Sequence, residues 1–250
     1  MNVPHDWIVP DWPAPINIKS MITTRHGGVS AGPFATCNLG LHIGDDTAAV
    51  VANRRRLREL LPAEPKWLHQ VHGNAVVIAD DLGDAPAADA SITHKPNIVC
   101  VVMVADCLPV LLCDRDGGTV GIVHAGWRGL AAGVLENTVH AMGLPPGRML
   151  AYLGPAISPA AFEVGADVRD AFLPHDPAAA SAFAALPDNK WHADLFLLAR
   201  QRLGRCGIAQ IHGGGLCTAS DPARFYSHRR DRITGRMAAL IWLDAPARKT

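Results

Sequence analysis

Cys107 and His124 are the two side chains of this 250-residue sequence whose types and spacing most readily do chemistry together. Pro109–Cys113 reads as one strand, Asp114–Gly118 as a turn and Thr119–His124 as the returning strand. Pairing Cys113–Asp114 with Thr119–Val120 sets His124 roughly opposite Pro109. Cys107 then lies about one diagonal step further on, within side-chain reach across antiparallel strands. A slip of one residue in register would turn one of the two away. A further ligand can come from Trp67-Leu-His-Gln-Val-His-Gly73, where His69 and His72 precede a Gly73-Asn74 turn that aims side chains outward. One sulfur and two nitrogens suit zinc, and an open fourth position is the mark of a catalytic site. The ordinary alternatives are a core-filling cysteine and hydrogen-bonded histidines at a strand end and a turn.

The elements that must position these groups follow from the apolar pattern. Ile98–Val104 is β-branched and apolar throughout, as a strand buried on both faces should be. Val76–Ala79, Ile208–His212 and Met237–Leu243 read as further strands. Val50–Leu61 reads as an amphipathic helix stopped at Pro62. A helix is expected from about Arg128 to Met142, ending at Gly143 before Pro145 and Pro146, and another between Ala193 and Leu203. The Pro-rich start (Pro4, Pro10, Pro13, Pro15) should be extended. Short turns between some strands require antiparallel pairs, so the expected fold is a mixed α/β (α+β) sandwich: mixed parallel and antiparallel sheets with flanking helices. The expected organisation is one domain over 1–250, with 1–18 as an extended segment packed on it.

Composition bounds the function classes. Hydrophobic residues make up 49% and charged residues 18%, which is globular. Lys+Arg and Asp+Glu number 23 each, so no bulk charge draws the chain to nucleic acid. The longest apolar run, Ile98–Ala105, falls far short of the roughly 20 residues that span a bilayer. No basic-then-apolar leader is visible at the start, and six scattered cysteines read as thiols of a cytoplasmic protein. Cys37, Cys100, Cys113, Cys206 and Cys217 read as structural.

In Thr23-Thr-Arg-His-Gly-Gly-Val-Ser30, Asn38-Leu-Gly40, the Trp67–Gly73 segment, Asp89-Ala-Ser91, Ala105-Asp-Cys-Leu-Pro109 and His124-Ala-Gly-Trp-Arg-Gly129, the sequence resembles the YfiH family. Its members are also called peptidoglycan editing factors or laccase-domain proteins. Gly154-Pro-Ala-Ile157, Cys217-Thr218, Phe225-Tyr-Ser-His-Arg-Arg230 and Gly235-Arg236 continue the match in order. The resemblance implies one α/β sandwich domain, related to bacterial toxin cysteine hydrolases. It implies His72, Cys107 and His124 as metal ligands, leaving His69 out. It further implies zinc-dependent phosphorolysis of adenosine, inosine and methylthioadenosine, with adenosine deamination as a secondary activity. Copper-dependent polyphenol oxidation and a role in peptidoglycan composition are also attributed to the family.

Phosphorolysis of a glycosidic bond builds positive charge on the sugar, so the site must place an anionic phosphate, and a metal can orient substrate oxygens. The arginines expected to hold phosphate are Arg25, beside Gly27-Gly28, Arg128, and Arg229 or Arg230. Asn38, Gln70 and Asp89 could bond a ribose or base, and Trp127 could stack on a purine. Asp106 is the carboxylate nearest the ligands and the expected acid or base. The zinc-deaminase signature is absent, and no His-x-His occurs, which weakens multicopper oxidation. A metal-free hydrolase with Cys107 as nucleophile and His124 as base would have no need of His72. A structural metal would require a fourth protein ligand. Gly213-Gly-Gly215 lacks the Lys-Ser/Thr of a nucleotide P-loop. The expected partners are a small-molecule nucleoside and phosphate, with no nucleic acid and no membrane, in a monomer or weak homo-oligomer.

Overall fold

A strand that is apolar at every position needs a buried surface on each side, and residues 99–104 find both. In the computed structural model, which describes residues 6–83 and 85–245 with Asp81 by its backbone alone, the described residues form three sheets. The first has the order β1 (Ile18–Ile22), β13 (Met237–Leu243), β5 (Val99–Val104), β2 (Pro65–Lys66). The second runs β12 (Gln210–Gly213), β8 (Met149–Leu153), β6 (Leu108–Asp114), β7 (Val120–Ala125), β4 (Ala90–Thr93), β3 (Val76–Ile78). A small third sheet joins β10 (Phe183–Leu186), β11 (Lys190–Ala193) and β9 (Glu163–Val164). β12 pairs parallel to β8, β3 to β4 and β2 to β5, and the remaining pairs are antiparallel.

The helices are α1 (Thr47–Arg58), α2 (Trp127–Ala131), α3 (Val134–Met142), α4 (Ala166–Asp170), α5 (Leu195–Arg205) and α6 (His228–Asp231). α1 covers the outer face of the first sheet, α3 and α5 cover that of the second, and α4 packs on the third. Cys100 and Val102 of β5 face Leu111, Cys113, Val120 and Ile122 of the second sheet, an apolar layer between sheets. Val99 and Val101 point the other way, onto Leu57 of α1 and Trp7. The far face of the second sheet, with Val110, Leu112, Val123 and Ala151, packs under Leu135 and Val139 of α3 and Leu198 and Leu203 of α5. The result is the mixed α/β sandwich, layered helix, sheet, sheet, helix.

The hairpin register sets Pro109 opposite His124 and Cys113 opposite Val120, and Met237–Leu243 forms β13 at the expected bounds. α1 begins three residues early because the Asp46 carboxylate accepts the Ala48 N–H at 3.1 Å, a cap upstream of the apolar pattern. The continuous helix expected over 128–142 is two, divided at Gly133, whose φ of 89° is left-handed. Trp7 is buried and Ile8 forms an antiparallel bridge with Ile22, so this part of the Pro-rich start covers the free edge of β1. Pro4 lies outside the described residues. Among the described residues no helix is long and apolar enough to cross a membrane.

Candidate metal centre

The chain leaves β5 at Val104 and enters β6, in the other sheet, at Leu108. So short a crossing needs a sharp corner, and Asp106 supplies it at φ 89°, a left-handed conformation that aspartate tolerates better than most residues. The corner is pinned. Thr218 Oγ1 and the Arg229 N–H donate to the Asp106 carboxylate, both at 2.6 Å, and the Ile157 N–H donates to its carbonyl at 2.9 Å. Asp106, expected as an acid or base beside Cys107, is thus committed to the turn that delivers Cys107.

His72 arrives on a loop held from both sides. The Gln70 side chain brackets Met103 at the end of β5, donating to its carbonyl at 2.9 Å and accepting its N–H at 2.8 Å. The Asp89 carboxylate accepts three successive N–H groups, from Val71, His72 and Gly73, at 3.2, 3.0 and 2.7 Å. His72 itself takes φ 59°. Asp89 also accepts from His124 Nδ1 at 2.8 Å, with both side chains buried. That bond fixes the ring and leaves Nε2 as its free nitrogen.

The potential ligand atoms of His72, Cys107 and His124 lie within 4.8 Å of one another. The two imidazoles meet edge to face, 4.8 Å between centroids. Two glycines of the His124–Gly129 segment make room. A Cβ on Gly126 would sit 2.9 Å from Cys107 Sγ and 3.2 Å from His72 Cδ2, and one on Gly129 would meet the Gly73 carbonyl at 2.5 Å. Burial opposes a charged thiolate at Cys107, yet His124 first and His72 second hold its pKa down at about 6. Burial likewise opposes charge on His124, but Cys107 and Asp89 raise its pKa to about 9. Asp89 stays below the usual carboxylate range, because the bonds from His124 and the loop amides outweigh its burial. One soft sulfur and two imidazoles, one with its second nitrogen on a carboxylate, are a donor set that fits a transition-metal ion.

The centre opens on a cavity of about 350 Å³. Trp127, Ile157, Phe162 and Leu195 line it from the helix-covered side, and His42, Met103 and Arg236 from the side of the first sheet. Gln70, Asp106, Arg128 and Arg229 are also in the lining, and the Arg128 guanidinium rests 4.4 Å above the Trp127 ring.

Three residues expected on substrate are placed elsewhere. Arg25 is tied to the carbonyls of Ala35 and Pro222 at 2.9 Å each and lies over the Tyr226 ring. Asn38 is fully buried and bonds Gly40, Asp45 and the Arg236 N–H. Arg230 is spent on the carbonyls of Thr218, Ala219 and Phe225 and on Asp231. Gln70 lines the cavity, but its amide is engaged with Met103, and Asp89 orients ligands where a ribose or base contact was expected. His69 is outside the ligand cluster, and the Gly213–Gly215 turn is outside the cavity. His42, Phe162, Leu195 and Arg236 were not expected at the site, though Gly235-Arg236 stands among the motif stretches.

Fold and centre together define a class: a layered sandwich that carries one His–Cys–His tripod where its two sheets meet. A family model described as multi-copper polyphenol oxidoreductase laccase matches residues 19–244, and the chain belongs to that family. The purine nucleoside phosphorylase PA4543 of Pseudomonas aeruginosa is 54% identical over 95% of this chain and 98% of its own. The purine nucleoside phosphorylase YfiH of Escherichia coli is 50% identical over 94% and 98%. Among solved structures, protein NMB0706 of Neisseria meningitidis superposes with a TM-score of 0.94 at 52% identity, covering 96% of this chain and 100% of that one. YlmD of Geobacillus stearothermophilus gives 0.90 at 32% identity, with 98% of both chains covered.

Proposed function

We propose that the protein is a metal-dependent purine nucleoside phosphorylase acting on adenosine, inosine and methylthioadenosine, with zinc held by His72, Cys107 and His124. The observation that carries this reading is the tripod's position in a cavity with one apolar wall and several cationic groups, the pair of surfaces a nucleoside and a phosphate require. The relatives that bear the phosphorylase name are similar over nearly the whole chain. A soft thiolate with two imidazoles favours zinc, and the same set would accept copper.

When bound, the metal would supply a fixed positive charge that orients and polarises substrate oxygens. The protein's own groups do the rest. Phe162, Leu195, Ile157 and Trp127 offer the purine an apolar surface and exclude water from it. The cationic groups hold the phosphate where charge develops on the sugar as the glycosidic bond breaks. Asp89 keeps the His124 ring and the His72 loop from reorienting. Adenosine deamination gains less support, because the one carboxylate among the described lining residues, Asp106, is engaged by two donors. Multicopper oxidation calls for several ligand clusters, and among the described residues there is one.

The experiment is base release from inosine and adenosine, with and without phosphate, by metal-quantified wild type and Cys107→Ala. Phosphate-dependent release, lost in the variant together with its metal, is expected; equal release without phosphate contradicts phosphorolysis. A second reading has a specific basis, since Cys107, His124 and Asp89 also form the chain of a cysteine hydrolase with a depressed thiol. His72→Ala separates the two, because a metal-free hydrolase keeps its activity in that variant and the phosphorylase loses it.

A further inference from the structure

Three consecutive residues far from the metal ligands are devoted to one arginine. The buried Asn38 Oδ1 accepts the Arg236 N–H at 2.9 Å, and the Leu39 N–H donates to the Arg236 carbonyl at 3.1 Å. Gly40 packs on the side chain so closely that a Cβ there would lie 2.9 Å from Arg236 Cγ. Asn38 is itself fixed, since its Nδ2 donates to the Asp45 carboxylate at 2.9 Å and its carbonyl accepts from Asn53 Nδ2 at 2.9 Å. Such a frame sets the position of a side chain that reaches the cavity.

The three arginines of the cavity lining differ in where they are held. The Arg229 side chain uses only Nη1, on the carbonyls of Glu163 and Ala161, but its guanidinium lies 5.2 Å from the centre of the Phe162 ring, on the apolar wall. Arg128 is exposed at the rim over Trp127. Arg236 is half-buried and uses only Nη1, on the carbonyls of Thr234 and Gly235 at 3.1 and 3.0 Å. Its Nε and Nη2 make no hydrogen bond among the described residues. That edge presents two parallel N–H groups, the fork that matches two oxygens of a phosphate. His42 lines the same side of the cavity and lies in the field of Arg236 and Arg54.

We infer that Arg236, framed by Asn38–Gly40 and flanked by His42, is the residue that receives the phosphate, with the apolar wall left to the purine. The inference rests on the phosphorylase reading and names the subsite within it. Arg236 is a binding residue, and Asn38 and Gly40 are positioning residues that act through it.

The test is kinetic and chemical. In metal-loaded protein, Arg236→Gln is expected to raise the KM for phosphate about 10- to 100-fold, the loss expected when charge-assisted hydrogen bonds are removed. The KM for inosine should change far less, and Arg236→Lys, which keeps the charge and loses the fork, should fall between. In wild type, inorganic phosphate should slow phenylglyoxal modification of Arg236, read by peptide mass, while Arg128 reacts at its unprotected rate. That measurement needs neither turnover nor a folded variant. Base release that ignores phosphate overturns the phosphorylase reading and this subsite with it. Phosphate-dependent wild type with an unchanged phosphate KM in Arg236→Gln, or protection that maps to Arg128 or to no arginine, overturns the subsite alone.

Discussion

Asp89 Oδ1 stands 2.8 Å from His124 Nδ1, and the same carboxylate accepts the amides of residues 71–73, so one buried group sets two of the three proposed metal ligands. Replacing it by asparagine keeps the shape but removes the charge and exchanges an acceptor for a donor. Asp89→Asn should lower metal affinity by about 10- to 100-fold, the usual cost of losing a carboxylate behind a ligating histidine. Competition titration against a chromophoric chelator measures it, with circular dichroism to confirm that the fold is kept. Unchanged affinity would mean that the ligands are oriented by other contacts.

Gly126 offers a steric test of the same centre. A methyl group there meets Cys107 Sγ at 2.9 Å, inside van der Waals contact, and crowds His72. Gly126→Ala should therefore lose stoichiometric metal, read by elemental analysis of the purified protein. Its backbone is extended at φ −63°, which alanine adopts without strain, so circular dichroism should show the fold kept while the metal is lost.

Cys217 gives a pH prediction away from the ligands. Burial raises its pKa, but the hydrogen bonds from Ser158 and Ser220 outweigh that and bring it down to about 7. Iodoacetamide labelling of Cys217, followed by peptide mass, should rise with pH through a midpoint near 7, because the thiolate is the nucleophile. Cys37, Cys100 and Cys113, pushed up to about 12 by burial, should stay unlabelled in the folded protein. A depressed acid stabilises the fold when ionised. That contribution is complete above the ordinary thiol value of about 8.5 and fades as pH falls through the folded value.

Leu111 tests the layer between the sheets. It is fully buried against the first sheet, so Leu111→Ala should cost about 2–5 kcal/mol in urea unfolding by leaving a cavity the two sheets cannot collapse. A change below about 1 kcal/mol would show that the sheets are not packed as described.

The local parts of this architecture were legible in the sequence. The Asp114–Gly118 turn fixes the hairpin register, so the opposition of Pro109 and His124 followed from counting. β13 was bounded by its own apolar run. β1, β4 and β8 were not anticipated, being four or five residues each and dependent on partners far along the chain for their burial. Asp106 looked like a catalytic group because it neighbours Cys107, but its carboxylate is taken by Thr218 Oγ1 and the Arg229 N–H, partners more than a hundred residues away. Asp89 and Arg236 show the same limit: each takes its meaning from a residue at long separation, His124 for one and Asn38 for the other, and no periodicity encodes such a meeting.

The central claim is that a loop histidine, a cysteine at the crossing between sheets and a strand histidine jointly grip one ion. X-ray absorption spectroscopy at the zinc edge of the loaded protein tests it most directly. The account predicts one sulfur at about 2.3 Å and two imidazole nitrogens at about 2.0–2.1 Å in the first shell. A shell of nitrogen and oxygen alone, with no sulfur scatterer, would contradict it.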